Sequence, residues 1–181
     1  MILGLDISTS ITGATVLDEQ GNVLMCVHWD TRNKNKYEDL FAKAEQIRLE
    51  LLKISHYYKI KEIFIEQSLQ SFRSGFSSAH TLSTLSRYNG IVSWLCFRNL
   101  GIKPEYISAT SARKLCGIKV PRGEKAKEIV LKYLLDNEPT FKIQYTHKGN
   151  PKPESYDRAD AIIIARAGDI IEREKETQDS V

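Results

Sequence analysis

The chain is poor in the residues that staple or knuckle small folds. It has only three cysteines, Cys26, Cys96 and Cys116, far apart and odd in number. That argues against a disulfide framework and, with no Cys-x-x-Cys pair, against a zinc knuckle. The three read as small buried hydrophobes. His28, His56, His80 and His147 lack paired metal-ligand spacing. No apolar run approaches the roughly 20 residues that span a bilayer, and no basic-then-apolar leader precedes the first strand-like run. The expectation is an intracellular, cytoplasmic protein with no membrane contact. Repeats and low-complexity tracts are missing too, and 181 residues leave room for one well-filled core rather than two.

What is present is an α/β pattern. "LGLDI" reads as a buried strand, and "TGATVLD" and "NVLMCVHW" as strands joined by a turn around Glu19 to Asn22. Apolar residues at helical spacing, Leu40, Ala44, Ile47, Leu51, Ile54 and Tyr58, predict a helix over about 36–58. "KEIFIE" is a short strand ending at Glu66, followed by a polar, Ser-rich loop. A long helix is expected over about 78–99, a fifth strand at "KPEYIS", a short helix over 108–116 and another over 123–136. Residues 139–155 hold three of the five prolines and read as a loop before a last helix over about 156–173. "EREKETQDSV" has no apolar face and is expected to fray. The order β-β-β-α-β-α-β-α-α-α predicts a five-stranded mixed sheet flanked by helices, in one domain over 1–173 with a polar tail over 174–181.

The first 24 residues, "MILGLDISTSITGATVLDEQGNVL", fit two chemistries. Such a hairpin wraps phosphates in actin-like kinases and ATPases, and holds a metal-binding aspartate in ribonuclease-H-like nucleases. Three further acids bear on the choice. Asp6 lies inside an apolar run, and Glu66 ends another; an unpartnered ionised side chain there costs several kcal/mol. Strand ends ease that cost and are where ligands gather in open α/β sheets. In "YDRADAIIIARAGDII", Asp157 and Asp160 are three apart and share a helix face with Ile164, Ala167 and Ile171, whereas Arg158 and Arg166 point elsewhere. Favourable capping of the helix dipole is the bland alternative. Four carboxylates drawn together would repel one another unless divalent cations neutralise them. All-oxygen donors select hard ions, Mg²⁺ with Mn²⁺ as a substitute, one or two per subunit. Two such ions about 4 Å apart can drive phosphodiester hydrolysis.

With "LGLDIS", "FIEQS" and "DRADAIIIA" in this order, the chain resembles the ribonuclease-H-like superfamily, and within it the RuvC-type Holliday junction resolvases. "NGIV" and "CGIKVPRGEKAKEIV" are similar to that family as well, and the likeness covers about residues 1–173. It implies a homodimer that binds a four-way DNA junction and places symmetric nicks in two strands of like polarity, aided by Mg²⁺. Asp6, Glu66, Asp157 and Asp160 would be the metal ligands and catalytic acids. Lys125, in "RGEK", matches a basic position near the scissile phosphate. The chain also departs from the pattern. The loop after Glu66 is longer, and Leu69 stands where the family has an aromatic wedge, leaving Phe72 or Phe76 as candidates. The loop at 139–155 is longer as well. These differences suggest a divergent relative, encoded by a phage or mobile element.

Charge points the same way. The net charge is only +3, but residues 113–152 carry ten Lys/Arg against four acids, a local +6 that suits a polyanion. Candidate DNA contacts are Arg113, Lys114, Lys119, Arg122, Lys125 and Lys127, with Arg73, Phe72 and Phe76 in the Ser-rich loop. The helix over 78–99 is apolar on more than one face, through Leu82, Leu85, Val92, Trp94, Leu95 and Phe97, and is expected to form part of a dimer interface. Three rivals remain: a nuclease of the same fold acting on flaps, forks or RNA; a silent DNA-binding module; and an actin-like kinase or ATPase. The kinase needs a second phosphate hairpin, and the sequence shows none.

Overall fold

The computed structural model describes residues 1–67 and 79–179. Three strands, β1 (Ile2–Asp6), β2 (Ile11–Leu17) and β3 (Val23–Asp30), form an antiparallel meander. Its second turn is built by Asp18, whose carboxylate accepts from the Gln20 and Asn22 N–H groups at 2.9 and 2.8 Å while Gly21 takes φ +85°. Helix α1 (Leu40–Tyr57) starts at Asp39, whose side chain accepts from Ala42 N at 2.8 Å. Then come β4 (Glu62–Glu66), α2 (Ala79–Leu100), β5 (Glu105–Ile107), α3 (Ala109–Leu115), α4 (Ala126–Asn137) and α5 (Glu154–Asp179). The sheet order is β3-β2-β1-β4-β5, with β1, β4 and β5 parallel. This is the expected five-stranded mixed sheet with helices on both faces.

Strand alternation divides the core in two. Leu3, Leu5, Ile63 and Ile65 face one way and pack with Ile47, Leu51, Ile54, Val92 and Cys96 of α1 and α2. Ile2, Phe64 and Ile107 face the other way, against Ala112, Val130, Leu134, Ile162 and Ile163 of α3, α4 and α5. Two glycines set how closely α5 approaches. A Cβ on Gly4 would lie 2.5 Å from Ala165 N, and one on Gly13 would lie 2.0 Å from Asp157 O. Only bare backbone fits beneath the helix at these points.

Several boundaries differ from expectation; α1 begins at Leu40 rather than 36, with Asp39 as its N-cap. The last helix continues past Arg173 to Asp179, because Lys175 bonds Glu172 of its own helix at 2.7 Å and Glu105 of β5 at 2.9 Å. Helix α4 begins at Ala126 rather than 123, with Lys125 as an extended N-cap. The expected helix start at 78 lies outside the described residues. The three cysteines are free; Cys96 is buried, while Cys26 and Cys116 are only partly so. No helix among the described residues is long and apolar enough to cross a membrane.

Candidate metal centre

Period-two alternation places Asp6 and Glu66 on the same side of the sheet. Each is an even step from a residue that faces α5: Asp6 from Ile2 and Gly4, Glu66 from Phe64. Parallel pairing of Leu5 with Ile65 leaves the two acids side by side at the carboxyl ends of adjacent strands. Helix α5 crosses over them, and its first turns present Asp157 and Asp160. Carboxylate oxygens of Asp6, Glu66 and Asp160 come within 4.8 Å of one another, all three residues being partly buried. Asp157 stands outside that set but near enough to repel Asp6 and Asp160.

The electrostatics record the crowding. Burial raises the Asp6 carboxyl well above its ordinary range, and Glu66, Asp160 and Asp157 raise it further. Burial, then Asp160, push Glu66 up to about 7. Burial also lifts Asp160 to about 6, opposed by Lys127 and assisted by Asp157. Asp157 is raised by burial and eased by Lys127, His28 and Arg32. Such a site is costly with all its protons removed and no cation bound. The donor set is carboxylate oxygen throughout, which fits a hard divalent cation.

Hydrogen bonds fix the frame around the acids. The Asn89 side chain of α2 donates to Glu66 O at 3.3 Å, and Gln67 N donates to Ile107 O at 2.9 Å, tying down the end of β4. Asn89 is buried; in the sequence it figures only within "NGIV", and its polar side chain on a buried face was the available signal. The turn after β1 closes on itself, with Ser10 N and Ile11 N both donating to Ser8 Oγ at 3.2 and 3.0 Å. Those N–H groups are therefore not free to cradle a phosphate. Lys43 Nζ caps Thr9 O from α1.

The basic candidates separate. Lys125 is exposed and pairs with Glu128 at 3.1 Å. Lys127, two residues on, is the lysine whose charge reaches Asp6, Glu66, Asp157 and Asp160; burial lowers its pKa, but the four acids outweigh it and the net shift is upward. Arg113 also bears on Glu66 and Asp160. Arg113, Lys114 and Lys119 line a recess of about 320 Å³ behind α3, and Arg122 is exposed on the loop beyond it. Phe72, Arg73 and Phe76 lie outside the described residues. A second acid group, Glu62, Glu105 and Glu172, sits at the other end of β4, where Lys175 bonds Glu105 and Glu172.

Solved structures share this architecture. T. thermophilus RuvC in complex with a Holliday junction substrate matches with a TM-score of 0.65 at 15% identity, over 96% of this chain and 94% of that one. The fold is that of the RuvC-type Holliday junction resolvases. A second T. thermophilus RuvC structure gives a TM-score of 0.61 at 18% identity, over 96% of each chain. The yeast mitochondrial Holliday junction resolvase Ydc2 gives 0.59 at 14% identity, over 99% of this chain and 84% of that one. At identities this low the likeness is one of fold. No protein-family model matches the sequence, and no curated protein matches it.

Proposed function

We propose that the protein is an endonuclease that resolves four-way DNA junctions by paired symmetric nicks, as a homodimer with one metal centre per subunit. The observation that carries this reading is the meeting of Asp6, Glu66 and Asp160 within 4.8 Å on a fold shared with junction resolvases. Asp6, Glu66 and Asp160, flanked by Asp157, would hold Mg²⁺ or Mn²⁺. When bound, the ion supplies charge neutralisation at the scissile phosphate and lowers the pKa of a water for attack.

The chain's own residues supply the rest. The carboxylates fix where a divalent cation would sit, and so where the scissile phosphate would approach, since the two kinds of anion repel without it. Asn89 holds the Glu66 backbone against α2, so the ligand is not free to swing away. Lys127 and Arg113 give positive charge at the rim, suited to the non-bridging oxygens of the strand being cut. Arg122, Lys119 and Lys114 extend that charge away from the acids for the flanking backbone.

Dimerisation is supported by α2. Tyr88, Val92, Leu95 and Cys96 face the core, yet Trp94 and Phe97 of the same helix are 58% and 52% exposed. Large aromatics left in water beside a filled core suit a symmetric partner surface.

The test is cleavage of a mobile four-way junction, with a flap, a fork and linear duplex of equal length alongside, in Mg²⁺ buffer. The expected result is two nicked duplexes from the junction and intact linear DNA. Equal cutting of all four substrates would overturn junction specificity, and preference for the flap or fork would reassign the substrate.

A further inference from the structure

The segment between α4 and α5 reads as a loop in the sequence but has its own internal architecture. Tyr145 and Pro151 pair as an antiparallel bridge. Lys152 N donates to Gln144 O at 2.9 Å, Thr146 N to Asn150 O at 2.8 Å and Gly149 N to Thr146 O at 2.9 Å, closing a short hairpin. Side chains reinforce it: Asn150 N bonds Thr146 Oγ1 at 3.2 Å, and Lys152 Nζ bonds Gln144 Oε1 at 2.7 Å. Its stem is locked to α5. Phe141 is buried in the core with Arg158 5.2 Å from its ring centre, and Arg158 Nη1 donates to Lys142 O at 3.0 Å.

Two properties of this hairpin bear on its use. Residues 141–153 contain three lysines, one histidine and no acid. Lys142 and Lys148 are exposed and, like several other surface lysines, make no ion pair among the described residues; what distinguishes them is that their hairpin holds no acid at all. Tyr145 is 54% exposed beside them. The second property is placement. The stem ends at Pro153, immediately before α5, so the hairpin stands at the same end of that helix as Asp157 and Asp160.

We propose that this hairpin is a preformed clamp for the phosphodiester backbone of the duplex arm that carries the scissile strand. Lys142 and Lys148 neutralise phosphates, and Tyr145 lies against the sugar edge. The inference rests on the nuclease reading above and adds a surface to it. An acid-free cluster of three lysines held on one hairpin suits an external polyanion, and a hairpin already closed by its own hydrogen bonds loses little entropy on binding. Because the contacts are to backbone, the clamp adds affinity without sequence preference.

The test is junction binding by Lys142→Ala/Lys148→Ala over a salt series, with Tyr145→Ala measured separately. Each neutralised phosphate contributes about 0.9 to the slope of log affinity against log salt, so the double variant is expected to flatten it by roughly 2. Linear duplex should show the same flattening. Single-turnover cleavage at saturating protein should stay at the wild-type rate, since the acids are untouched. Both side chains are exposed and make no ion pair among the described residues, so thermal melting should match wild type. An unchanged slope and affinity, with the wild type binding junctions normally, would overturn the clamp alone. A wild type that binds neither junction nor duplex would overturn the nuclease reading with it.

Discussion

A Cβ placed on Gly13 would stand 2.0 Å from the backbone oxygen of Asp157. Gly13 is also the residue paired with Asp6 across the β1–β2 ladder. One glycine thus lets the acid-bearing end of α5 settle directly beside the strand position that holds the first acid. Gly13→Ala should force the helix outward. The expected cost is about 1–3 kcal/mol of stability, together with weaker metal binding, read by thermal melting and by Mn²⁺ titration calorimetry. A variant with wild-type melting and metal affinity would show that the helix position is not set there.

Asp6→Asn should keep junction binding but lose cleavage by a hundredfold or more, since it removes one carboxylate of the proposed metal centre and leaves the basic surface intact. Gel-shift and cleavage assays on the same preparation separate the two. Undiminished cleavage would remove Asp6 from the centre.

The metal-free protein should lose stability as pH rises through neutrality. Glu66 sits near 7 against an ordinary 4.5, and Asp160 near 6 against 3.8. A carboxyl whose folded pKa is raised favours the folded state fully below its ordinary value, and that advantage disappears as pH climbs through the folded value. The window is therefore about pH 4 to 7. Acids held low by partners, such as Asp30 near 2 beside Arg32, act below it. The loss should be on the order of a few kcal/mol, read by denaturant melts in EDTA, and Mg²⁺ at pH 8 should reverse it. A flat profile between pH 5 and 8 would contradict the crowded-carboxylate geometry.

Lys127→Ala should reduce cleavage more than binding, by roughly ten- to a hundredfold in rate, because its charge reaches all four acids. Lys125→Ala, whose ammonium pairs with Glu128, should affect binding modestly and rate little. Single-turnover kinetics at saturating protein distinguish them; the reverse ranking would restore Lys125 to the scissile phosphate.

Light scattering should report a mass near twice 20.6 kDa. Trp94→Asp/Phe97→Asp should yield a folded monomer that binds a junction but no longer makes paired nicks. A wild-type monomer that resolves junctions would refute the paired mechanism.

The sequence by itself determined the strand and helix order, the placing of Asp6 and Glu66 at the ends of apolar strands, and the three-residue spacing that joins Asp157 to Asp160. These are local properties, set by side-chain alternation and helical periodicity. Tertiary structure decided what periodicity cannot carry. It chose Lys127 over Lys125 at the acids, because α4 starts at Ala126 and leaves Lys125 extended ahead of the first turn. It extended α5 to Asp179 through Lys175 and Glu105, 70 residues apart in sequence. It also turned a proline-rich loop into a closed basic hairpin, through a buried Phe141 and an arginine one turn into the next helix. Each of these depends on contacts between residues distant in the chain, and such contacts form only once the sheet and its two helical layers have come together.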